Sequence, residues 1–298
     1  MTLFAAPYTL PLVDRLFMGG VRHTNRSGWL LHDTATDRIA DAAPLPGFSP
    51  DSTDDVERAL FNDAPVTASL SFALGCLRAD SAPRSEVASA SLVTQLSSHG
   101  RELDDLERVV KVKVNPARRD GVSAVVMRLT ERGHRVRLDG NRGFELDEAI
   151  ELAEQCASGL EFFEEPVAFA DLERAVERMP VALDESLADA GPWRVEAAAY
   201  VLKPTILGHE ATARFLEEAR AHSIPVVISS AFESSVGRAH LIRLAHRVAP
   251  DAHHGLGTGR YFARDFEGWV ERIDGWYASD RRGGPRPRLE WRECRLAL

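Results

Sequence analysis

Apolar residues in the first part of the chain occur in short runs separated by turn residues. Leu10 to Leu12 and Trp29 to His32 are predicted to form strands, with a glycine-rich turn at Met18-Gly19-Gly20 between them. Residues 51–78 repeat apolar side chains at helical spacing, behind an Asp-Ser pair that can cap a helix. This pattern predicts an N-terminal α+β domain over residues 1–85.

The pattern changes near residue 86, where β-rich runs begin to alternate with runs of helical periodicity. The apolar stripe of Leu146, Ile150 and Ala153 predicts one of the helices. The eight predicted strands are Val87–Leu96, Val109–Val114, Val136–Asp139, Leu160–Glu164, Val181–Asp184, Tyr200–Lys203, Val226–Ser230 and His254–Thr258. Strands joined by helices in this way predict a parallel (β/α) barrel over residues 86–266.

An open doubly wound sheet is the alternative arrangement for the same alternation. That fold usually carries a glycine-rich phosphate loop after its first strand, and none follows Val87–Leu96. The final segment, residues 267–298, is rich in arginine and glycine. We expect it to run back and pack against the N-terminal domain.

Composition narrows the class of protein. The 298 residues suffice for one large domain or two modest ones, and the net charge of −9 argues against nucleic-acid binding. No run approaches the roughly 20 apolar residues of a membrane-spanning helix, and the N-terminus lacks the pattern of a secretory signal. Cys76, Cys156 and Cys294 are odd in number and far apart, which predicts free thiols in a reducing cytoplasm.

Charged and polar residues recur where the predicted barrel strands end. In chain order they are Lys111, Lys113, Asp139, Glu164, Asp184, Lys203, Ser229 and Ser230. The C-terminal ends of barrel strands converge on one mouth, so these side chains are expected to meet there. Three adjacent strands each deliver a carboxylate, and a lysine strand lies on either side.

Three carboxylates at one mouth repel one another, and a hard divalent cation resolves the conflict. Ligands that are all oxygen favour Mg²⁺, with Mn²⁺ as the alternative, over Zn²⁺. A substrate carboxylate bound to such an ion can accept charge as an enediolate, so its α-proton becomes removable. The sequence therefore predicts a metal site formed by Asp139, Glu164 and Asp184 for a small carboxylate substrate.

The lysines are expected to approach this substrate from opposite faces. Lys113 and Lys203 lie on strands that flank the three carboxylate strands, and nearby cations make one of them available as a base. Lys111 lies two residues before Lys113 and points to the same side of its strand. It is placed to tune Lys113 by repulsion between like charges.

Each of these positions has a plainer explanation when taken alone. A single carboxylate at a strand end is more often a helix N-cap than a metal ligand. Glu164-Glu165-Pro166 alone suits an exposed turn, and Lys111 to Asn115 alone suits an amphipathic edge strand. Because the signals fall on five successive strands, a shared site is the favoured interpretation.

Short motifs surround these residues. They are Lys111-Val112-Lys113, Leu138-Asp139-Gly140-Asn141, Phe163-Glu164-Glu165-Pro166, Leu183-Asp184-Glu185-Ser186 and Leu202-Lys203-Pro204-Thr205. Over nearly the whole chain the sequence resembles the enolase superfamily, in its muconate-lactonizing-enzyme subgroup. The resemblance implies a modified TIM barrel, (β/α)7β, with an α+β N-terminal capping domain. Gly140 departs from the family pattern, where alanine is frequent, and the change is expected to be harmless.

A second set of motifs lies in the N-terminal segment and after the last two strands. They are Met18-Gly19-Gly20, Arg26-Ser27-Gly28, Ala43-Pro44-Leu45-Pro46-Gly47-Phe48, Ile228 to Ser235, and Gly255-Leu256-Gly257-Thr258. They resemble the o-succinylbenzoate synthase family of that subgroup. This resemblance implies Mg²⁺-dependent dehydration of 2-succinyl-6-hydroxy-2,4-cyclohexadiene-1-carboxylate to 2-succinylbenzoate, a step of menaquinone biosynthesis.

The resemblance also implies roles for the residues. Lys113 takes the α-proton and then assists loss of the hydroxyl group, while Lys203 remains a cation on the other face. The candidates for substrate contacts are Lys111, Asn141, Ser229, Ser230 and Gly255. Arg22 and the Gly19-Gly20 turn are candidates for a lid over the mouth, although an ordinary glycine turn explains the motif equally well.

Other functions remain open from the sequence. An N-acylamino-acid racemase or dipeptide epimerase of the same subgroup uses the same five residues, with both lysines exchanging protons. A non-catalytic barrel that binds a ligand is an alternative of another class, and it predicts at least one broken ligand or lysine position. A structural protein unrelated to any barrel would not bring the three carboxylates to a common point.

Overall fold

The computed structural model describes residues 2–18, 21–79, 84–93, 106–190, 196–273, 275–280 and 283–296. Its strands are β1 (Leu3–Met18), β2 (Val21–Asp33), β3 (Arg38–Ala42), β4 (Arg84–Ser89), β5 (Ser91–Val93), β6 (Val109–Lys113), β7 (Arg135–Asp139), β8 (Leu160–Glu164), β9 (Val181–Leu183), β10 (Ala199–Leu202), β11 (Val226–Ile228), β12 (His253–His254), β13 (Glu271–Ile273), β14 (Trp276–Asp280) and β15 (Arg292–Glu293). Its α-helices are α1 (Thr53–Phe61), α2 (Ala68–Arg78), α3 (Val122–Glu131), α4 (Leu146–Cys156), α5 (Leu172–Val176), α6 (Glu185–Ala190), α7 (Pro204–Leu207), α8 (His209–His222) and α9 (Ser235–Val248).

The N-terminal sheet is antiparallel, in the order β15-β1-β2-β3. The two predicted strands lie inside the much longer β1 and β2, whereas β3 was not predicted. One face of the sheet packs Leu3, Trp29 and Leu31 against α1 and α2, which gives this domain an apolar core of its own. The predicted turn residues Gly19 and Gly20 lie outside the described residues.

The predicted helical segment 51–78 is two helices rather than one. Between them Asp63 adopts a left-handed backbone (φ 54°) and Pro65 cannot donate a helical hydrogen bond. Ser52 caps α1 in a capping box with Asp55. The Asp51 carboxylate instead accepts the backbone N–H of Ser69 at 3.1 Å, so it stabilises the start of α2.

The barrel closes through its first and last strands. Strands β5 to β11 form a parallel sheet in chain order, β12 pairs in parallel with β4, and a bridge from Ser229 to Gly255 joins the ends of β11 and β12. The predicted first strand is therefore two short strands, because β4 pairs with β12 while β5 pairs with β6. The modified TIM barrel with an antiparallel N-terminal domain is confirmed.

Side chains divide between two layers across the barrel wall. Val110, Val112 and Leu138 face outward and pack with the helices in the main core. The inner layer is filled by Phe162, Ala182 and Val201 with their neighbours. Because this inner layer closes the barrel below, the polar residues at the strand ends stay together at the mouth.

The C-terminal segment contacts both parts of the molecule. After β12 the chain forms a 3-10 helix at Gly257–Tyr261, and the hairpin of β13 and β14 then pairs with β4 of the barrel. Strand β15 pairs with β1, and Trp269 packs in one apolar cluster with Tyr8 and Leu10 of the N-terminal sheet. The domain boundary near residue 85 stays a prediction. Among the described residues, no helix is both long and apolar enough to cross a membrane.

Candidate active site

The strand register brings the predicted site residues side by side. Lys113 is the Cα partner of Asp139, and Asp139 is the partner of Glu164 on the next strand. Lys111 points the same way as Lys113 because side chains alternate along a strand. Asp184 is the first residue after β9 and Lys203 is the first after β10, at the same end of the sheet.

The three carboxylates are buried and their charge is met by lysines. Asp139, Glu164 and Asp184 are 2%, 1% and 5% exposed. Lys111 Nζ lies 2.6 Å from Glu164 Oε1 and 2.9 Å from Asp139 Oδ2, so one ammonium bridges two of the carboxylates. Lys203 Nζ contacts Asp184 Oδ2 directly and lies 3.7 Å from Glu185 Oε1.

Protonation of the carboxylates follows these contacts. Burial alone would raise the pKa of Asp139, but the charges of Lys111 and Lys113 outweigh it and lower the pKa to about 2. Burial, with the charges of Glu185 and Glu164, raises the pKa of Asp184 well above its ordinary value despite Lys203. Burial is the largest of these causes, so the charge of Lys203 does not offset the cost of burying the Asp184 carboxylate.

The lysines differ in accessibility. The side chains of Lys111 and Lys203 are 18% and 17% exposed, whereas that of Lys113 is 40% exposed. Lys113 Nζ donates to Asn141 Oδ1 at 3.0 Å and lies 3.6 Å from Asp139 Oδ2. Asn141 adopts a left-handed backbone (φ 44°), which turns its side chain back over the end of β7. Lys113 is thus the most exposed of the three lysines.

The donor set has the chemistry that a hard divalent cation requires. All three predicted ligands offer oxygen, and Glu185 Oε2 beside them is buried with no hydrogen-bond partner among the described residues. In the described part of the chain, however, no three Asp, Glu, His or Cys side chains are arranged so that they could hold a metal ion. The ammonium groups of Lys111 and Lys203 donate to the oxygens of Glu164 and Asp184, and Lys111 also pairs with Asp139.

Comparisons with known proteins agree with this geometry. Residues 95–284 match the family described as enolase C-terminal domain-like. An o-succinylbenzoate synthase from Pectobacterium atrosepticum is 30% identical over 285 residues, which cover 84% of this chain and 88% of that protein. The chain belongs to the o-succinylbenzoate synthase family of the enolase superfamily.

Solved structures of the superfamily share the fold. A dipeptide epimerase from Cytophaga hutchinsonii, complexed with Mg and D-Ala-L-Val, superposes with a TM-score of 0.78 at 16% identity and covers 98% of this chain and 99% of its own. An o-succinylbenzoate synthase from Thermosynechococcus elongatus, complexed with Mg in its active site, gives 0.70 at 19% identity, with 89% and 95% covered. At these identities the likeness shows the fold alone.

The remaining predicted contact residues of this o-succinylbenzoate synthase family member directly follow the next two barrel strands, β11 and β12. Ser229 is 8% exposed, and its Oγ would be 2.7 Å from a Cβ placed on Gly255, so glycine allows the two strand ends to approach. The Ser230 hydroxyl lies 2.5 Å from Glu233 Oε2 and 2.7 Å from Thr258 Oγ1. These bonds engage Ser230 within the protein, and substrate contact by either serine stays a prediction.

The N-terminal domain reaches the same mouth. Phe48 places its ring centroid 5.7 Å from Lys203 Nζ. Arg26 is 2% exposed and donates to the carbonyls of Pro44 and Phe232, each at 3.0 Å, which ties the loop that carries Phe48 to the loop after β11. Arg22 is exposed, and the lid predicted with Gly19 and Gly20 lies outside the described residues.

Several residues that shape the site were not predicted. Arg26, Phe48 and Glu165 were noticed only as parts of motifs, and no role was predicted for Glu165, which is fully buried. A signal for Glu165 existed, since a second carboxylate directly after a ligand points away from it along an extended chain. The departure at Gly140 also has a structural reason: a Cβ there would lie 2.9 Å from Pro166 Cα.

Proposed function

We propose that this chain catalyses the dehydration of 2-succinyl-6-hydroxy-2,4-cyclohexadiene-1-carboxylate to 2-succinylbenzoate, the o-succinylbenzoate synthase reaction of menaquinone biosynthesis. The observation that carries the proposal is the pair of lysine strands that flank three buried carboxylates at one barrel mouth. Family membership selects this substrate among carboxylic acids with an α-proton.

Asp139, Glu164 and Asp184 are the proposed ligands of Mg²⁺. When bound, the ion supplies a fixed positive charge that stabilises the negative charge developing on the substrate carboxylate. Lys111 and Lys203 contact oxygens of these same three residues, so two ammonium groups lie beside the proposed donor set. Mn²⁺ is the alternative metal, because it accepts the same oxygen donors.

The lysines have unequal roles in this proposal. Lys113, the most accessible, removes the α-proton and then returns a proton to the departing hydroxyl group. Lys203, buried against Asp184 and Glu185, remains a cation on the opposite face of the substrate. Dehydration needs only one lysine that exchanges protons, whereas racemisation needs two, so the unequal accessibility favours dehydration.

The surroundings of the reaction are also part of the proposal. The proposed partner is a small carboxylate, because the site lies in a barrel mouth. The net charge of −9 argues against nucleic acid as a partner. Cys76, Cys156 and Cys294 are free thiols, which suits a reducing compartment, and we place the enzyme in the cytoplasm.

The test is a magnesium-dependent assay of the purified chain that follows loss of the cyclohexadiene chromophore. We expect turnover with Mg²⁺, none with a chelator, and turnover at least about 100-fold slower for Lys113→Ala. The same protein is incubated with N-acylamino acids and with dipeptides. Racemisation or epimerisation without dehydration would replace the proposed reaction with that of the alternative enzymes, and full turnover by Lys113→Ala would refute the mechanism.

A further inference from the structure

The carboxylate of Glu165 joins the ends of the three strands that carry the proposed metal ligands. Glu165 follows Glu164 directly, is fully buried, and has a left-handed backbone (φ 40°). Such a backbone is uncommon for a residue with a side chain and persists where surrounding contacts hold it. Those contacts are hydrogen bonds to the loops after β7 and β9.

One oxygen of Glu165 holds the end of β9. Glu165 Oε1 accepts the backbone N–H groups of Asp184 and Ser186, both at 2.9 Å. Glu165 Oε2 accepts the Ser186 hydroxyl at 2.8 Å. Because Asp184 is itself a proposed ligand, its main chain is attached directly to this carboxylate.

The other oxygen holds the loop that follows Asp139. Glu165 Oε2 also accepts Arg142 Nε at 3.0 Å, and the Arg142 backbone N–H donates to the Glu165 carbonyl at 2.6 Å. Arg142 has a left-handed backbone as well, with φ 58°. Its guanidinium reaches on to Ser186 Oγ at 3.1 Å and Asp189 Oδ2 at 2.6 Å.

These bonds leave the Glu165 carboxylate no role as a ligand. Both of its oxygens are already occupied by donors from Asp184, Ser186 and Arg142. Its negative charge is matched by Arg142 and not by the lysines of the mouth. Groups that hold ligands in this way set how closely the ligand oxygens approach one point.

We infer that Glu165, with Arg142, is a positioning residue that sets the spacing of Asp139, Glu164 and Asp184 and so determines affinity for the divalent cation. The inference rests on the proposed metal centre. Glu165 acts through the main chain of Asp184 and through the loop after β7, and it touches neither substrate nor metal.

Glu165→Gln is the main test. The glutamine keeps the size of the side chain and one accepting oxygen, but its amide nitrogen cannot accept from Arg142. Binding of Mg²⁺ alone is titrated by calorimetry without substrate. We expect binding about 10- to 100-fold weaker than in the wild type, as for other residues that orient metal ligands. The Mg²⁺ concentration for half-maximal turnover should rise by a similar factor, with a smaller loss of kcat at saturating Mg²⁺.

Asp265→Asn is the matched control. Asp265 also accepts a backbone N–H, from Ser235 at 2.8 Å, and a guanidinium, from Arg238 at 2.6 Å, but it holds the start of α9 instead of a proposed ligand. We expect Asp265→Asn to lower Tm and to leave Mg²⁺ affinity unchanged. Ser186→Ala removes a single hydroxyl donor to Glu165, and it should weaken Mg²⁺ binding less than Glu165→Gln does. This variant keeps the inference testable if Glu165→Gln folds poorly.

The outcomes separate this inference from the proposed function. Unchanged Mg²⁺ binding in both Glu165→Gln and Ser186→Ala, with normal binding in the wild type, would overturn the positioning role alone. Equal losses in Glu165→Gln and Asp265→Asn would overturn it too, because a general loss of stability would then explain them. A wild-type chain that binds no Mg²⁺ and shows no turnover would overturn the metal centre itself.

Discussion

Lys111 donates to Glu164 across the barrel mouth, with 2.6 Å between Nζ and Oε1. The same ammonium lies 2.9 Å from Asp139, so a single positive charge neutralises part of two buried carboxylates. Burial alone would lower the pKa of Lys111, but the charges of Asp139 and Glu164 raise it above its ordinary value. Lys111 is therefore held as a cation between the two carboxylates.

Lys111→Met should destabilise the metal-free protein strongly. The substitution leaves Asp139 and Glu164 buried without their shared counter-ion, a change that costs about 3 kcal/mol or more. Urea unfolding in the presence of a chelator measures the loss. Added Mg²⁺ should restore more stability to the variant than to the wild type. Equal stability of both proteins without metal would contradict the bridging role of Lys111.

Lys113→Ala should slow turnover by orders of magnitude and leave the protein folded. Because the Lys113 side chain is exposed, its loss leaves no cavity in the core. Removal of a general base slows turnover by about 10²- to 10⁴-fold. Mg²⁺ binding by calorimetry should stay within a few-fold of the wild type. Arg119→Ala, which removes a half-exposed cation paired with Glu148, is the control and should keep full activity.

The contact between the two domains should depend on pH through Asp41. Asp41 Oδ2 accepts the Ser234 hydroxyl at 2.6 Å, and the Tyr8 hydroxyl donates to Oδ1 at 2.9 Å. Burial raises the pKa of Asp41 to about 7, although the hydrogen bonds from Ser234 and Tyr8 lower it. The folded protein thus holds this proton more tightly than the unfolded chain does.

The sign of the effect follows from that difference. The contribution of Asp41 to stability is fully present below about pH 4 and is lost as the pH rises to about 7, with a slope of at most about 1.4 kcal/mol per pH unit. Urea unfolding of the wild type and of Asp41→Asn at pH 5, 6 and 7 isolates this contribution. The stability advantage of the wild type should shrink as pH rises. Asp54→Asn, on the exposed side of α1, is the control for removing a carboxylate outside this contact.

Gly140→Ala should disturb the loops that carry the proposed ligands. A Cβ on Gly140 would lie 2.9 Å from Pro166 Cα and 3.0 Å from Phe163 Cε2, so the loops after β7 and β8 would have to separate. We expect a loss of about 1–3 kcal/mol in the free energy of unfolding, together with weaker Mg²⁺ binding. Gly257→Ala is the control, because its nearest neighbour would be at 3.5 Å. If Gly140→Ala changed neither the free energy of unfolding nor Mg²⁺ binding, this prediction would be wrong.

The sequence by itself determined the barrel and the residues of its mouth. Strand and helix periodicities are local properties, and polar residues at strand ends meet wherever parallel strands converge, so Lys113, Asp139 and Glu164 could be assigned together. The same local reasoning missed β3, a short strand whose five residues include two charged ones. It also merged α1 and α2, because helical spacing continues across a short break.

Tertiary structure alone decided how these parts are joined. Arg26 donates to the carbonyls of Pro44 and Phe232, and β4 pairs with β12, so these contacts join distant parts of the chain. Glu165 is a charged residue before a proline, a local sequence that also suits an exposed turn. In the structure it is buried and bonds to the loops after β7 and β9. Local patterns specify which way a side chain points from its strand, but the partner it meets depends on the packing of distant segments.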